Sequence, residues 1–129
     1  MNLIVRYAHS MGRRADGELE RDVLNVLWDV EEALQPSDVR EALGADLAYT
    51  SVATVLTRLV EKGTVTRVPM GRAFAYRPTL SREDWYAEQM LAVLDGSPNQ
   101  RALLVGFVGK LSRRDREALR RMLAENDRR

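Results

Sequence analysis

The 129-residue sequence predicts a mostly α fold with one small β-hairpin: a winged helix-turn-helix followed by an all-α segment. Three observations predict it. Apolar residues recur at spacings of three and four along three successive stretches that end at Lys62. Two short alternating stretches, "TVTRVP" and "RAFAYRP", flank "MGR". From Ser81 onward the chain reads as helix alone. The order of these elements carries more architectural weight than any single residue. It divides the chain into an N-terminal arm at 1–14, a winged helix-turn-helix at 15–79 and a helical segment at 80–129.

The arm, "MNLIVRYAHSMGRR", lacks a signal peptide's order, because its arginines follow the apolar patch. Met11, followed by Gly12-Arg13-Arg14, is a candidate start of translation. The first helix is expected over Asp16–Val30, where Leu19, Val23, Val26, Leu27 and Val30 form a stripe that Leu24 and Trp28 widen. Acids in its first turn suit the helix dipole. A second helix is expected over Ser37–Leu43, with Ser37 as its cap, Pro36 at its start and Gly44 at its stop. The third is expected over Thr50–Lys62, with Thr50 as N-cap and Gly63 in the left-handed C-terminal position. Val52, Val55, Leu56, Leu59 and Val60 make its buried stripe. Gly71 supplies the hairpin turn. Three capping-box starts, at Ser81, Ser97-Pro98 and Ser112, open helices expected over Ser81–Leu94, Pro98–Lys110 and Arg113–Glu125.

Composition narrows the chemistry. At 45% hydrophobic and 30% charged residues the chain is globular. It has no cysteine, which removes disulfides, thiolate metal sites and thiol nucleophiles and fits a cytoplasmic protein. No apolar run approaches the roughly 20 residues of a membrane span. His9 is the lone histidine, without cysteine partners, and makes a poor metal ligand. No nucleophile–base pair or glycine-rich phosphate loop is in view, so no catalytic residue, metal or cofactor is expected. Net charge is only +1, yet it is unevenly spread: Ala15–Asp46 carries ten acids and two bases, a net of −8, while Leu47–Pro78 carries five bases and one acid, a net of +4. Nucleic acid needs local positive charge, and acids elsewhere do not forbid it.

The third helix raises the sharpest question. One face is apolar; another carries Ser51, Thr54 and Arg58 at i, i+3 and i+7, with Thr50 and Thr57 beside them. A merely solvated face is usually filled with Glu and Lys. Small hydroxyls and one long cation suit a DNA groove, where a threonine offers a hydroxyl to base edges and a methyl to thymine. Ser51 and Thr54 are therefore the candidates for reading bases or nearby phosphates. Thr50 caps the helix and lies where anions are attracted. Tyr49 either contacts the backbone or packs. Arg58 and Lys62 are expected on phosphates, and Arg67 and Arg72 on the wing are expected on backbone or minor groove. Phe74 and Tyr76 share a strand face that reads as core packing rather than base stacking. Arg113, Arg114, Arg116, Arg120 and Arg121 read as a solvated face.

The helical segment carries more apolar surface than some 50 residues can bury alone, so pairing with a second copy is expected. Trp85, Leu103, Leu104, Phe107, Val108 and Leu119 are the candidate dimer contacts. Trp28 and Trp85 also read simply as core anchors. A competing reading, a winged-helix module that binds protein rather than DNA, asks for exposed aliphatic or aromatic anchors on the third helix, where hydroxyls and arginine stand instead.

The stretches "GELERDVLNVLWD", "AYTSVATVLTRLVEKGTVTR", "GRAFAYRP" and "ALLVGFVGKLSRRDREALRRML" resemble the BlaI/MecI penicillinase-repressor family from Gly17 to Leu123. The resemblance implies a homodimeric bacterial repressor whose winged helix binds a palindromic double-stranded operator, with half-sites like TACA/TGTA that Ala53 and Thr57 can shift. It also implies control of β-lactam-response genes, and a membrane-bound metalloprotease sensor or its effector protease as a partner. The chain departs from the family twice. Where the best-known members are cleaved at an Asn-Phe bond, the matching bond here is Gly106-Phe107. The cysteine pairs of the copper-responsive branch are missing.

Overall fold

The computed structural model describes residues 16–44 and 46–128. The expectations for the arm, His9 and the start at Met11 lie outside the described residues. Within them the elements run α1 (Asp16–Trp28), α2 (Pro36–Leu43), α3 (Tyr49–Glu61), β1 (Val65–Met70), β2 (Ala73–Pro78), α4 (Arg82–Gly96), α5 (Gln100–Lys110) and α6 (Arg113–Asp127). This is the mostly α architecture with one hairpin that the sequence predicts. The chain divides into two compact units that part after Tyr86.

In the first unit the apolar stripes of three helices converge. Val23, Leu24, Val26 and Leu27 of α1 meet Val39 and Leu43 of α2 and Val52, Val55, Leu56 and Leu59 of α3, all buried. Val65 and Tyr76 close the cluster from the hairpin. Each fully buried Leu or Val contributes about 1.5–3 kcal/mol. These contacts, more than helix propensity, hold the short helices in place.

Several helix ends differ from expectation, each for a local reason. α1 stops at Trp28, short of Val30; the Asp29 N–H is shared between the carbonyls of Asn25 and Val26, which tightens the last turn. α2 starts at Pro36, so Ser37 is not its cap. Pro36 takes the first helical position, where a missing N–H costs nothing, and the Asp38 carboxylate accepts from the Gln35 N–H at 3.1 Å. α3 starts at Tyr49, so Thr50 is not its cap either; Ala48 holds that place with no side-chain bond. α5 starts at Gln100 rather than Pro98, because the Asn99 side chain caps it by accepting from Ala102 N–H at 3.0 Å. The remaining serine caps are present: Ser81 accepts from Asp84 N–H and Ser112 from Asp115 N–H, both at 3.0 Å.

Gly63 follows α3 with φ +79°, the left-handed conformation that turns the chain into β1. The hairpin is antiparallel with Val65 opposite Pro78 and Met70 opposite Ala73, leaving Gly71-Arg72 as a two-residue loop. Gly71 has φ +61° and Arg72 has not a positive φ, the pattern of a type II′ turn. Leu34 adds a bridge on the outer edge of β2: its N–H donates to the Tyr76 carbonyl at 2.9 Å, and the Tyr76 N–H donates back at 2.7 Å. That covers the strand edge nearest the core.

In the second unit no residue of α5 or α6 is buried. Leu103 is half-buried, and Met90, Leu91, Leu104, Phe107 and Met122 are exposed. No helix among the described residues is long and apolar enough to cross a membrane.

Candidate nucleic-acid interface

α3 has two unlike faces. Val52, Val55, Leu56 and Leu59 are buried, while Thr50, Ser51, Thr54, Thr57 and Arg58 are exposed. The sequence spacing therefore places the hydroxyl face where solvent reaches it. The exposed hydroxyls are not equivalent. Thr57 donates its hydroxyl to the Ala53 carbonyl at 3.0 Å, so its donor is already used. Ser51, Thr54 and Arg58 have no side-chain partner among the described residues. Thr50, Ser51, Thr54, Val55 and Arg58 line a shallow concavity of about 290 Å³ that Leu19 of α1 walls on one side. Tyr49, at the first helical position, is half exposed at 50% and lies outside the core.

The start of α3 is positioned by a residue the sequence reading did not single out. Arg40 of α2 donates from Nε to the Leu47 carbonyl at 2.7 Å and so ties down the connection between the two helices. At the other end, Lys62 donates to the Glu20 carboxylate of α1 at 2.7 Å. The pair links the C-terminal end of α3 to α1 and sets a carboxylate beside one of the cations expected on phosphate.

On the wing, Arg72 sits in the exposed loop. Arg67 holds its guanidinium 4.5 Å from the centroid of the Phe74 ring. Phe74 and Tyr76 were expected to share a core-packed face, and the structure separates them. Tyr76 is 8% exposed and belongs to the core, whereas Phe74 is 44% exposed. The reason is distance along the strand: Tyr76 lies opposite Leu34, but Phe74 pairs with Pro69, nearer the tip, beyond the cover of the helices.

The sequence marks Trp28 and Trp85 as core anchors, and the structure joins them in one cluster of the first unit. Trp28 donates from Nε1 to the Leu80 carbonyl at 2.9 Å and meets Trp85 edge-on with centroids 5.9 Å apart. Arg82 pairs with Asp29 at 2.9 Å and lies 5.4 Å from the Trp28 ring centroid. Trp85, a candidate dimer contact, thus packs against the first unit's core, as its other reading held. Serine capping signals the start of α4, but nothing local signals which residue it packs on.

The other candidate dimer contacts lie in the second unit. Leu103, Leu104 and Phe107 line an open apolar groove of about 450 Å³ with Met90, Leu91 and Leu94 of α4. Val108 is 41% exposed beside them on α5, and Leu119 is half-buried on α6. Gly106 and Phe107 stand inside α5, in helical conformation. On α6, Glu117 reaches Arg120 at 3.4 Å and Arg121 at 3.8 Å, exposed pairs of little energetic weight. Among the described residues no group of His, Asp or Glu is arranged to hold a metal ion.

Comparison with known proteins adds the following. The model of the penicillinase repressor family matches residues 16–125. The transcriptional regulator BlaI from two strains of Mycobacterium tuberculosis is 42% identical over 114 residues, covering 84% of this chain and 83% of the relative. Among solved structures, the PcaV transcriptional regulator from Streptomyces coelicolor, in complex with its natural ligand, is 20% identical, with a TM-score of 0.45 over 96% of this chain and 82% of that one. A MepR mutant from S. aureus is 19% identical, with a TM-score of 0.47 over 95% and 91%.

Proposed function

The chain belongs to the penicillinase repressor family and is a bacterial transcriptional repressor; from that premise we propose that it acts in the cytoplasm as a homodimer on a palindromic operator. The observation that carries the reading is the exposed face of α3, where Ser51, Thr54 and Arg58 have no side-chain partner among the described residues. In this reading α3 enters the major groove, Ser51 and Thr54 meet base edges, and Tyr49, Thr50 and Arg58 meet the backbone. Arg67 and Arg72 grip flanking phosphates. The second unit's apolar groove, around Leu103, Leu104 and Phe107, is covered by a second copy, and the dimer fixes the spacing of the two half-sites. Bound over a promoter, the dimer excludes polymerase.

Release follows from a signal that weakens the dimer or the DNA grip. A membrane-bound metalloprotease sensor or its effector protease is one source, with β-lactam-response genes as the target. Cleavage at Gly106-Phe107 then requires α5 to open first, because a protease engages extended backbone. Phe107 opposes that opening and Gly106 eases it by about 1 kcal/mol relative to Ala. The resting dimer is accordingly intact at this bond.

Fluorescence anisotropy with genomic fragments selected by the protein tests the reading. The expected result is tight binding to a two-fold symmetric site, falling linearly with log salt. Absence of salt-dependent binding to any duplex at low salt would refute it. Mass spectrometry of the protein from cells before and after β-lactam challenge tests the release step, with a fragment ending at Gly106 expected only after challenge.

A further inference from the structure

The wing holds one arginine in an unusual way. Among the basic side chains of the first unit, Lys62 is paired with the Glu20 carboxylate at 2.7 Å and Arg82 with that of Asp29 at 2.9 Å. Both pairings spend the positive charge on a neighbour. Arg67 has no carboxylate partner among the described residues; its guanidinium lies 4.5 Å from the centroid of the Phe74 ring. Phe74 itself is 44% exposed and outside the buried core, although it sits on the same strand as the buried Tyr76. An aromatic side chain left nearly half in water and outside the core cluster is not accounted for by core stability alone.

We propose that Phe74 is a positioning residue: its ring holds the Arg67 guanidinium ready for a DNA phosphate. This rests on the reading that the wing grips phosphates. The physics favours stacking over ion pairing for such a task. A carboxylate neutralises the charge that a phosphate needs and occupies the in-plane N–H donors. An aromatic ring takes only the face of the guanidinium and leaves the charge and the fork of donors at its edge. Arg67 also lies diagonally across the ladder from Phe74, since its direct partner is Tyr76 and Phe74 faces Pro69. A long side chain reaches that diagonal neighbour readily. The contact restrains a flexible side chain before binding, so less of its freedom is lost when phosphate arrives.

A stack at an exposed site implies a roughly two- to fivefold effect on affinity. The test uses the full chain and a fluorescein-labelled random-sequence duplex, read by anisotropy across a sodium chloride series. Phe74→Leu is expected to weaken binding by that factor while keeping the slope of log affinity against log salt, because no charge is lost. Phe74→Tyr is expected to match the unaltered protein. Arg67→Ala is expected to make the slope shallower by about 0.9 for each protomer bound, roughly 1.8 for a dimer, and Phe74→Leu is expected to add nothing in that background. A loss from Phe74→Leu that persists without Arg67 would overturn the proposal, because the ring would then act on DNA or on the hairpin directly. So would an unchanged affinity for Phe74→Leu alongside a clear loss for Arg67→Ala. If Arg67→Ala left affinity and slope untouched while the chain still bound DNA, the wing-phosphate reading itself would fall, and the proposal with it.

Discussion

Replacing Thr54 with alanine isolates the recognition face from the fold. Thr54 is exposed on α3 and has no side-chain partner among the described residues. Its removal therefore breaks no side-chain hydrogen bond among the described residues, and alanine is the better helix former by up to about 0.7 kcal/mol. The unfolding midpoint should stay level or rise slightly. Any change in DNA binding then belongs to the interface. One good base-edge contact discriminates by about 1–3 kcal/mol, which corresponds to roughly 5- to 150-fold in relative affinity. Thr54→Ala should lower the ratio of operator to random-duplex affinity by that range. Thr57→Ala provides the internal comparison. Its hydroxyl already donates to the Ala53 carbonyl at 3.0 Å, so less of it is available to a base and the loss should be smaller. The assay is competition anisotropy at one fixed salt concentration, since phosphate contacts make affinities incomparable across salts. If Thr54→Ala keeps full discrimination while Thr57→Ala destroys it, α3 is rotated in the groove relative to the placement argued here.

Two further outcomes follow from the packing. A fragment of residues 16–86 should be more stable than one of residues 16–79 by roughly 1–3 kcal/mol, because the shorter chain lacks Trp85, Arg82 and the Leu80 carbonyl that accepts from Trp28; paired urea titrations followed by tryptophan fluorescence measure the gap, and equal midpoints would show that this cluster holds nothing. Phe107→Asp places a carboxylate in the apolar groove of the second unit, where desolvation on pairing costs several kcal/mol; if the proposed dimer forms through this groove, sedimentation should show a dimer for the unaltered chain and monomer for the variant at the same concentration, and a persistent dimer would move the interface elsewhere.

The fold was legible because its main signals are local. The three- and four-residue spacing of Leu24, Leu27, Val52, Val55, Leu56 and Leu59 predicts which faces are buried, and they are. Gly63 and Gly71 were legible too, since each sits where the chain needs a positive φ. Helix starts were less so. Ser37, Thr50 and Ser97 are good caps by type, but Pro36, the Ala48 backbone and Asn99 fixed the starts one or two residues away. Cap choice depends on which residue already holds an extended conformation, and that is set by the preceding connection. Phe74 shows a different limit. Alternation assigned it to the face of Tyr76, yet how far the helices reach along the strand decides whether that face is covered at Phe74.

The candidate interface could be read from the sequence as a set of residue types but not as a set of charges in their final state. Counting along Leu47–Pro78 gives a net of +4. Pairing Lys62 with Glu20, 42 residues away, reduces the effective value to +3 and gives the acid-rich α1 a structural use. The same reasoning divides the remaining cations. Arg58 on α3 and Arg67, Arg72 and Arg77 on the hairpin have no carboxylate partner among the described residues, so their charge is available to a polyanion. Arg82 is committed to Asp29, and Arg40 to the Leu47 carbonyl. A protein with a net charge of +1 can therefore present a basic edge, because Lys62 and Arg82 are paired with Glu20 and Asp29 while the arginines of α3 and the hairpin have no carboxylate partner among the described residues. Which cations remain unpaired is decided by contacts between residues far apart in sequence, and composition alone does not contain them.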